Sequence, residues 1–114
     1  MPTLQSAPRD VDFATKRRDF DTIHLGNLNG FLSAVERSQA AEKADVFAEM
    51  LKLAVESYGI KQLVIAERLQ VTASTVGRWV KGSNIPNLAT RTYVRDLVLE
   101  GLRAQIAKLT HVSP

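Results

Sequence analysis

Two pairs of aspartates, each with one residue between its members, have a spacing that could support acid–base or magnesium chemistry. They are Asp10 with Asp12 and Asp19 with Asp21. No apolar framework or glycine-rich phosphate loop accompanies them, so a solvated segment explains them better than a catalytic site. Cysteine is absent, and two histidines, His24 and His111, are too few for a transition-metal site. We therefore expect a protein that is not an enzyme, with no catalytic residues, metal or cofactor.

Basic side chains are concentrated in one stretch of the chain. The net charge of the 114 residues is +3, but residues 61–95 hold six basic side chains against one acidic side chain. The six are Lys61, Arg68, Arg78, Lys81, Arg91 and Arg95. Such a concentration is typical of a surface that binds a polyanion such as nucleic acid, although an ordinary solvated face would also show it.

The composition is that of one globular domain. Hydrophobic residues make up 45% of the chain and charged residues 24%, which is ordinary for a folded protein of this length. No apolar run approaches the roughly 20 residues that cross a bilayer. The first twenty residues also lack the apolar centre of a signal peptide. We expect a cytoplasmic protein with no membrane contact.

Apolar residues recur at helical spacing through most of the chain, and no segment alternates as a half-buried strand would. The spacing predicts an all-α fold, a compact bundle with an extra N-terminal helix and a long C-terminal helix. Residues 1–24 are predicted to form a flexible arm. The predicted helices cover residues 25–35, 45–58, 61–69 and 73–81, and a last one runs from 87 or 88 to 108 after Pro86. Asp45 is predicted to cap the second of these, and Gly59 and Gly82 to end the second and fourth.

The segment 62–82 predicts two short helices joined by only three residues, a turn too short for the helices to run antiparallel. Thr72 is placed to cap the second helix through its hydroxyl. On that helix Val76, Trp79 and Val80 form the apolar face, and Trp79 is expected in the core. The exposed positions are small or polar at the N-terminal end and basic further on, which suits insertion into a DNA major groove.

Several positions of this segment match a known motif. A glutamine opens the first helix, alanine follows four positions later, and apolar or aromatic residues recur at fixed places before the exit loop Lys81-Gly82-Ser83-Asn84-Ile85-Pro86. The positions are Gln62, Ala66, Leu69, Val71, Val76 and Trp79. The segment resembles the helix-turn-helix of the lambda repressor/Cro-like family, including its xenobiotic-response-element branch of bacterial and phage regulators. It departs from the family at Gln70, where a glycine with positive φ is usual, and at Ala73 and Gly77, which offer no side-chain hydrogen bonds.

The resemblance implies double-stranded DNA as the partner and assigns residues to it. The residues implied to approach bases are Thr72, Ala73, Ser74, Gly77 and Arg78. Those implied to hold phosphates are Gln62, Lys81, Ser83 and Asn84. Arg78 is the candidate for a bidentate contact to guanine. With residues 25–114 as the DNA-binding and dimerisation domain, the expected function is that of a phage, plasmid or bacterial transcriptional regulator.

The last helix is longer than such a domain needs. Its apolar stripe and that of residues 25–35 have to be buried, either against each other or across a two-fold axis. Because regulators of this family usually bind as dimers to half-sites one helical turn apart, we expect a homodimer. Two alternatives remain open: an antitoxin whose N-terminal arm binds a partner protein, and a protein-interaction adaptor that has kept the fold without DNA binding.

Overall fold

The computed structural model describes residues 13–111 and, among these, the side chains of residues 22–110. This part of the chain contains five helices and no strand, so the predicted all-α fold is confirmed. The helices are α1 (Phe13–Arg37), α2 (Ala44–Ser57), α3 (Gln62–Leu69), α4 (Ala73–Lys81) and α5 (Leu88–His111). No helix in this described part is long and apolar enough to cross a membrane.

Helix α1 begins at Phe13, and the predicted start at Leu25 is wrong. Half of the segment assigned to an arm is thus helical, while residues 1–12 lie outside the described residues. Periodicity missed the start because residues 13–24 carry no regular apolar stripe. They do include good helix formers, among them alanine, lysine and arginine, which favour a helix through backbone and rotamer preferences alone.

Helices α1 and α5 pack against each other along their apolar faces. Leu28 and Val35 of α1 and Val98 and Leu102 of α5 are all buried in one core. At the rim, Glu36 accepts a hydrogen bond from the α5 side chain of Arg103 at 2.6 Å. The two stripes therefore cover much of each other within one chain, and their burial no longer argues for a dimer.

Helix α2 supplies the centre of the core through Phe47, Leu51 and Ala54, all fully buried. Its predicted cap is wrong: the helix begins at Ala44, and Asp45 lies within the first turn. A carboxylate there still interacts favourably with the positive end of the helix dipole. Gly59, with a φ of 72°, adopts the left-handed conformation predicted for the residue that follows the helix.

Helix α5 is tied to the rest of the molecule at both ends. Near its start Arg91 donates from Nε to the carbonyl of Ala41 and from Nη1 to the carbonyl of Pro86, each at 2.7 Å. Further along, the Gln105 amide donates to the carbonyl of Tyr58 at 2.8 Å, just before α3 begins. These bonds fix the loops on either side of the α3–α4 pair.

Candidate nucleic-acid interface

A three-residue turn joins α3 to α4, as the sequence predicts. Gln70 has a φ of 58° and a ψ of 43°, which is the left-handed conformation that glycine adopts most readily. Its N–H donates to the carbonyl of Glu67 at 3.3 Å, and the N–H of Val71 donates to that of Ala66 at 3.0 Å. Ala66 is itself buried. The turn therefore closes through backbone hydrogen bonds over a small buried side chain.

Both ends of α4 are capped by the residues predicted for them. The Thr72 hydroxyl accepts a hydrogen bond from the N–H of Thr75 at 3.1 Å, which satisfies one of the free donors of the first turn. Gly82 ends the helix with a φ of 77°. Ser83 follows, and both its N–H and its hydroxyl donate to the carbonyl of Arg78. One predicted phosphate ligand, Ser83, thus also caps the helix.

One face of α4 belongs to the core. Val76 is fully buried, and Trp79 and Val80 are 5% and 6% exposed. The indole of Trp79 therefore packs as a core residue, as predicted, and is not available for stacking on a base. This burial fixes which side of α4 faces outward.

The outward face of α4 borders an open cleft of about 520 Å³. The side of α4 that lines this cleft consists of Ala73, Ser74, Gly77, Arg78, Val80 and Lys81. Gln62 and Glu56 complete the lining from α3 and α2. A Cβ added to Gly77 would lie 3.4 Å from Oε1 of Gln62, so the first residue of α3 reaches across to α4. The structure thereby brings most of the sequence-predicted residues to one surface.

A chain of side-chain hydrogen bonds runs along the exposed edge of α4. The Arg78 guanidinium donates from Nη1 to Oγ of Ser74 at 3.2 Å and from Nη2 to Oγ1 of Thr75 at 3.4 Å. Thr75 Oγ1 also lies 2.9 Å from Oγ1 of Thr72. Sequence reasoning did not single out Thr75, although its spacing of three residues from both Thr72 and Arg78 places all three along one side of a helix.

The remaining predicted site residues lie beyond the cleft. Ser83 and Asn84 are exposed in the loop after α4, and Thr72 is exposed at the helix start. Three of the six basic side chains of residues 61–95, however, are engaged elsewhere. Arg68 pairs with Glu100 at 3.6 Å. Arg91 donates to carbonyls in the loops after α1 and α4, and Arg95 donates to the carbonyl of Glu36 in α1. The charge count over residues 61–95 therefore overstates the positive charge near α4.

Comparison of the chain with protein-family models, with curated proteins and with solved structures finds no match. Within the described residues, no group of three or more His, Asp or Glu side chains is placed to hold a metal ion. The α3–α4 surface and its residues are therefore the features of the molecule that bear on its function.

Proposed function

We propose that the protein binds double-stranded DNA sequence-specifically through α4 and acts as a transcriptional regulator of phage, plasmid or bacterial type. One observation carries the proposal: α4 is buried on one side and presents small, polar and basic residues on the other, beside the start of α3. A helix of this kind enters a major groove without steric conflict and offers hydrogen-bond donors to base edges.

The residues divide by chemistry into two roles. Arg78 and Ser74 carry donors for base edges, while the short side chains of Ala73 and Gly77 allow the helix backbone to approach closely. Lys81, Ser83 and Asn84 stand at the C-terminal end of α4, where they would contact phosphates. Gln62 would contact a phosphate from the start of α3. Thr72 would also lie close to the bases, and its hydroxyl accepts a hydrogen bond from the Thr75 amide.

The proposed assembly is a homodimer, because two copies would present two α4 helices to half-sites one helical turn apart. Since α1 and α5 cover much of each other's apolar faces within one chain, the dimer contact is a different surface from the one the stripes suggested. Sedimentation at micromolar concentration is expected to show a species of twice 12.6 kDa. A species of 12.6 kDa alone would refute the dimer and leave DNA binding open.

Fluorescence anisotropy with genomic DNA fragments at several salt concentrations tests the DNA proposal. We expect a steep decrease of affinity with salt and a preferred fragment that Arg78→Ala no longer distinguishes. Lys108→Ala is the matched control, because it also removes one positive charge from an exposed site but lies near the end of α5. Weak binding that changes little with salt and fragment would instead favour the adaptor.

Partner-protein binding by the N-terminal segment is a second candidate function, as in an antitoxin. One observation favours it: Ile23, which precedes the buried part of α1, is 60% exposed. A pull-down from native lysate should then recover a protein with the wild-type chain and lose it with Ile23→Asp, while DNA affinity stays unchanged. Equal recovery with both chains would contradict this candidate.

A further inference from the structure

We infer that Thr75 is a positioning residue that aims Arg78 at a guanine, so that the specificity of α4 depends on a hydroxyl that need not touch DNA. The inference rests on the proposed function and deepens it. What it adds is the side chain that holds Arg78 in place to contact guanine.

The geometry restrains the guanidinium at two points. Nη1 is bonded to Ser74 and Nη2 to Thr75, so the arginine lies back along α4 toward its N-terminal end. An exposed arginine without such partners samples many rotamers and reaches phosphates as readily as bases. The two bonds hold Arg78 over the first turn of α4, beside Ala73, whose short side chain allows the proposed close approach to DNA.

Thr75 is itself held in place. Its N–H is bonded to the Thr72 hydroxyl, and its own Oγ1 lies 2.9 Å from that hydroxyl oxygen. The N-cap residue Thr72 therefore helps to hold Thr75, and through it Arg78, in position. Ser74 has no such second bond among the described contacts, which makes Thr75 the better anchored of the two acceptors.

The restrained arginine still has enough donors for a base. A guanidinium has five N–H groups, and the two intrahelical bonds occupy one on each terminal nitrogen. Each terminal nitrogen keeps one free N–H. In the major groove guanine presents two neighbouring acceptors, O6 and N7. Adenine presents the N7 acceptor next to an amino-group donor, and cytosine presents an amino-group donor. The Nε–H, which has no hydrogen-bond partner among the described residues, is parallel to one N–H of the adjacent terminal nitrogen, and donation from this pair selects guanine.

The test measures discrimination for guanine in variants of Thr75. The probe is the fragment that wild type prefers, compared with copies in which single guanines are replaced by 7-deazaguanine, which lacks the N7 acceptor. Wild type should lose affinity at one guanine, and Arg78→Ala should be insensitive there. Thr75→Val keeps the shape and the capping N–H but removes the oxygen. We expect it to reduce the discrimination about 3- to 10-fold.

Two further variants separate positioning from stability. Thr75→Ser restores the hydroxyl and should restore discrimination. In the Arg78→Ala background Thr75→Val should change discrimination no further, because its effect passes through the arginine. Thr75→Ala removes the same oxygen with a smaller side chain and should weaken discrimination to the same extent, which keeps the test open if Thr75→Val folds poorly.

The outcomes are distinct. Thr75→Val with wild-type discrimination, or with an effect that persists in the Arg78→Ala background, overturns the inference and leaves DNA binding intact. Discrimination that resides at a base other than guanine also overturns it. Wild-type protein that binds none of the fragments overturns the proposed function, and the inference with it.

Discussion

Replacing Gln70 with glycine should stabilise the protein. Gln70 adopts a left-handed conformation at the turn between α3 and α4, with a φ of 58°. A side chain with a Cβ costs about 1–2 kcal/mol in that conformation. Glycine removes this strain but increases the freedom of the unfolded chain, at a cost of about 0.4–1 kcal/mol. The net gain is about 0.5–1 kcal/mol in the free energy of unfolding, or a rise of about 2–6 °C in Tm.

Nothing else in the turn depends on the glutamine side chain. The side chain is exposed, and the hydrogen bonds that close the turn run from the backbone N–H of Gln70 and of Val71. Because the substitution leaves these bonds in place, the position of α4 should not change. Under the proposed function, DNA affinity is therefore expected to stay as in the wild type, which would separate the stability of the turn from the proposed binding surface.

The assay is urea and thermal unfolding followed by circular dichroism, and Gln70→Ala is the matched control. Alanine shortens the side chain but keeps the Cβ that causes the strain, so its stability should stay close to that of the wild type. The comparison of the two variants isolates the effect of the Cβ. If Gln70→Gly is no more stable than Gln70→Ala, the strain argument is refuted.

Three further predictions concern packing and hydrogen bonding and use the same unfolding assay. Trp79→Ala should lower the free energy of unfolding by about 3–5 kcal/mol because the indole is buried, and a loss below about 1 kcal/mol would contradict its place in the core. Thr72→Ala should cost about 1 kcal/mol through loss of the cap, while Thr72→Ser should retain most of it. Arg91→Ala should lower the free energy of unfolding by about 1–3 kcal/mol because it leaves two carbonyls unpaired. Arg103→Ala breaks an exposed ion pair and should lower it by less than about 1 kcal/mol. Equal losses for the two variants would refute this ranking.

The α3–α4 region was predictable from sequence because its signals are local. Thr72, Gly82 and the apolar positions of α4 each act within one or two helical turns, and their roles follow from spacing alone. The positive φ at Gln70 was expected from the motif and is observed. The buried side of α4, and hence the outward side, follows from the same short-range pattern.

Features that depend on long-range contacts or weak periodicity were harder to predict. The start of α1 lies in a segment that has helix formers but no stripe, so periodicity could not find Phe13. The roles of Arg91 and Arg95 depend on carbonyls at Ala41 and Glu36, more than forty positions away in the sequence. A charge count along the chain cannot distinguish such arginines from those that face a ligand.

The two faces of α4 place different limits on how the protein can diverge. Substitution of Val76, Trp79 or Val80 would disrupt the core, so copies of the gene that remain folded must keep apolar residues of similar volume there. Ala73, Ser74 and Arg78 are exposed and can be exchanged at little cost in stability. Gly77 differs, because a Cβ there would lie 3.4 Å from Oε1 of Gln62 and a larger side chain would require the glutamine side chain to move. If α4 binds DNA as proposed, new sequence preferences can arise by a few substitutions on a scaffold that stays the same.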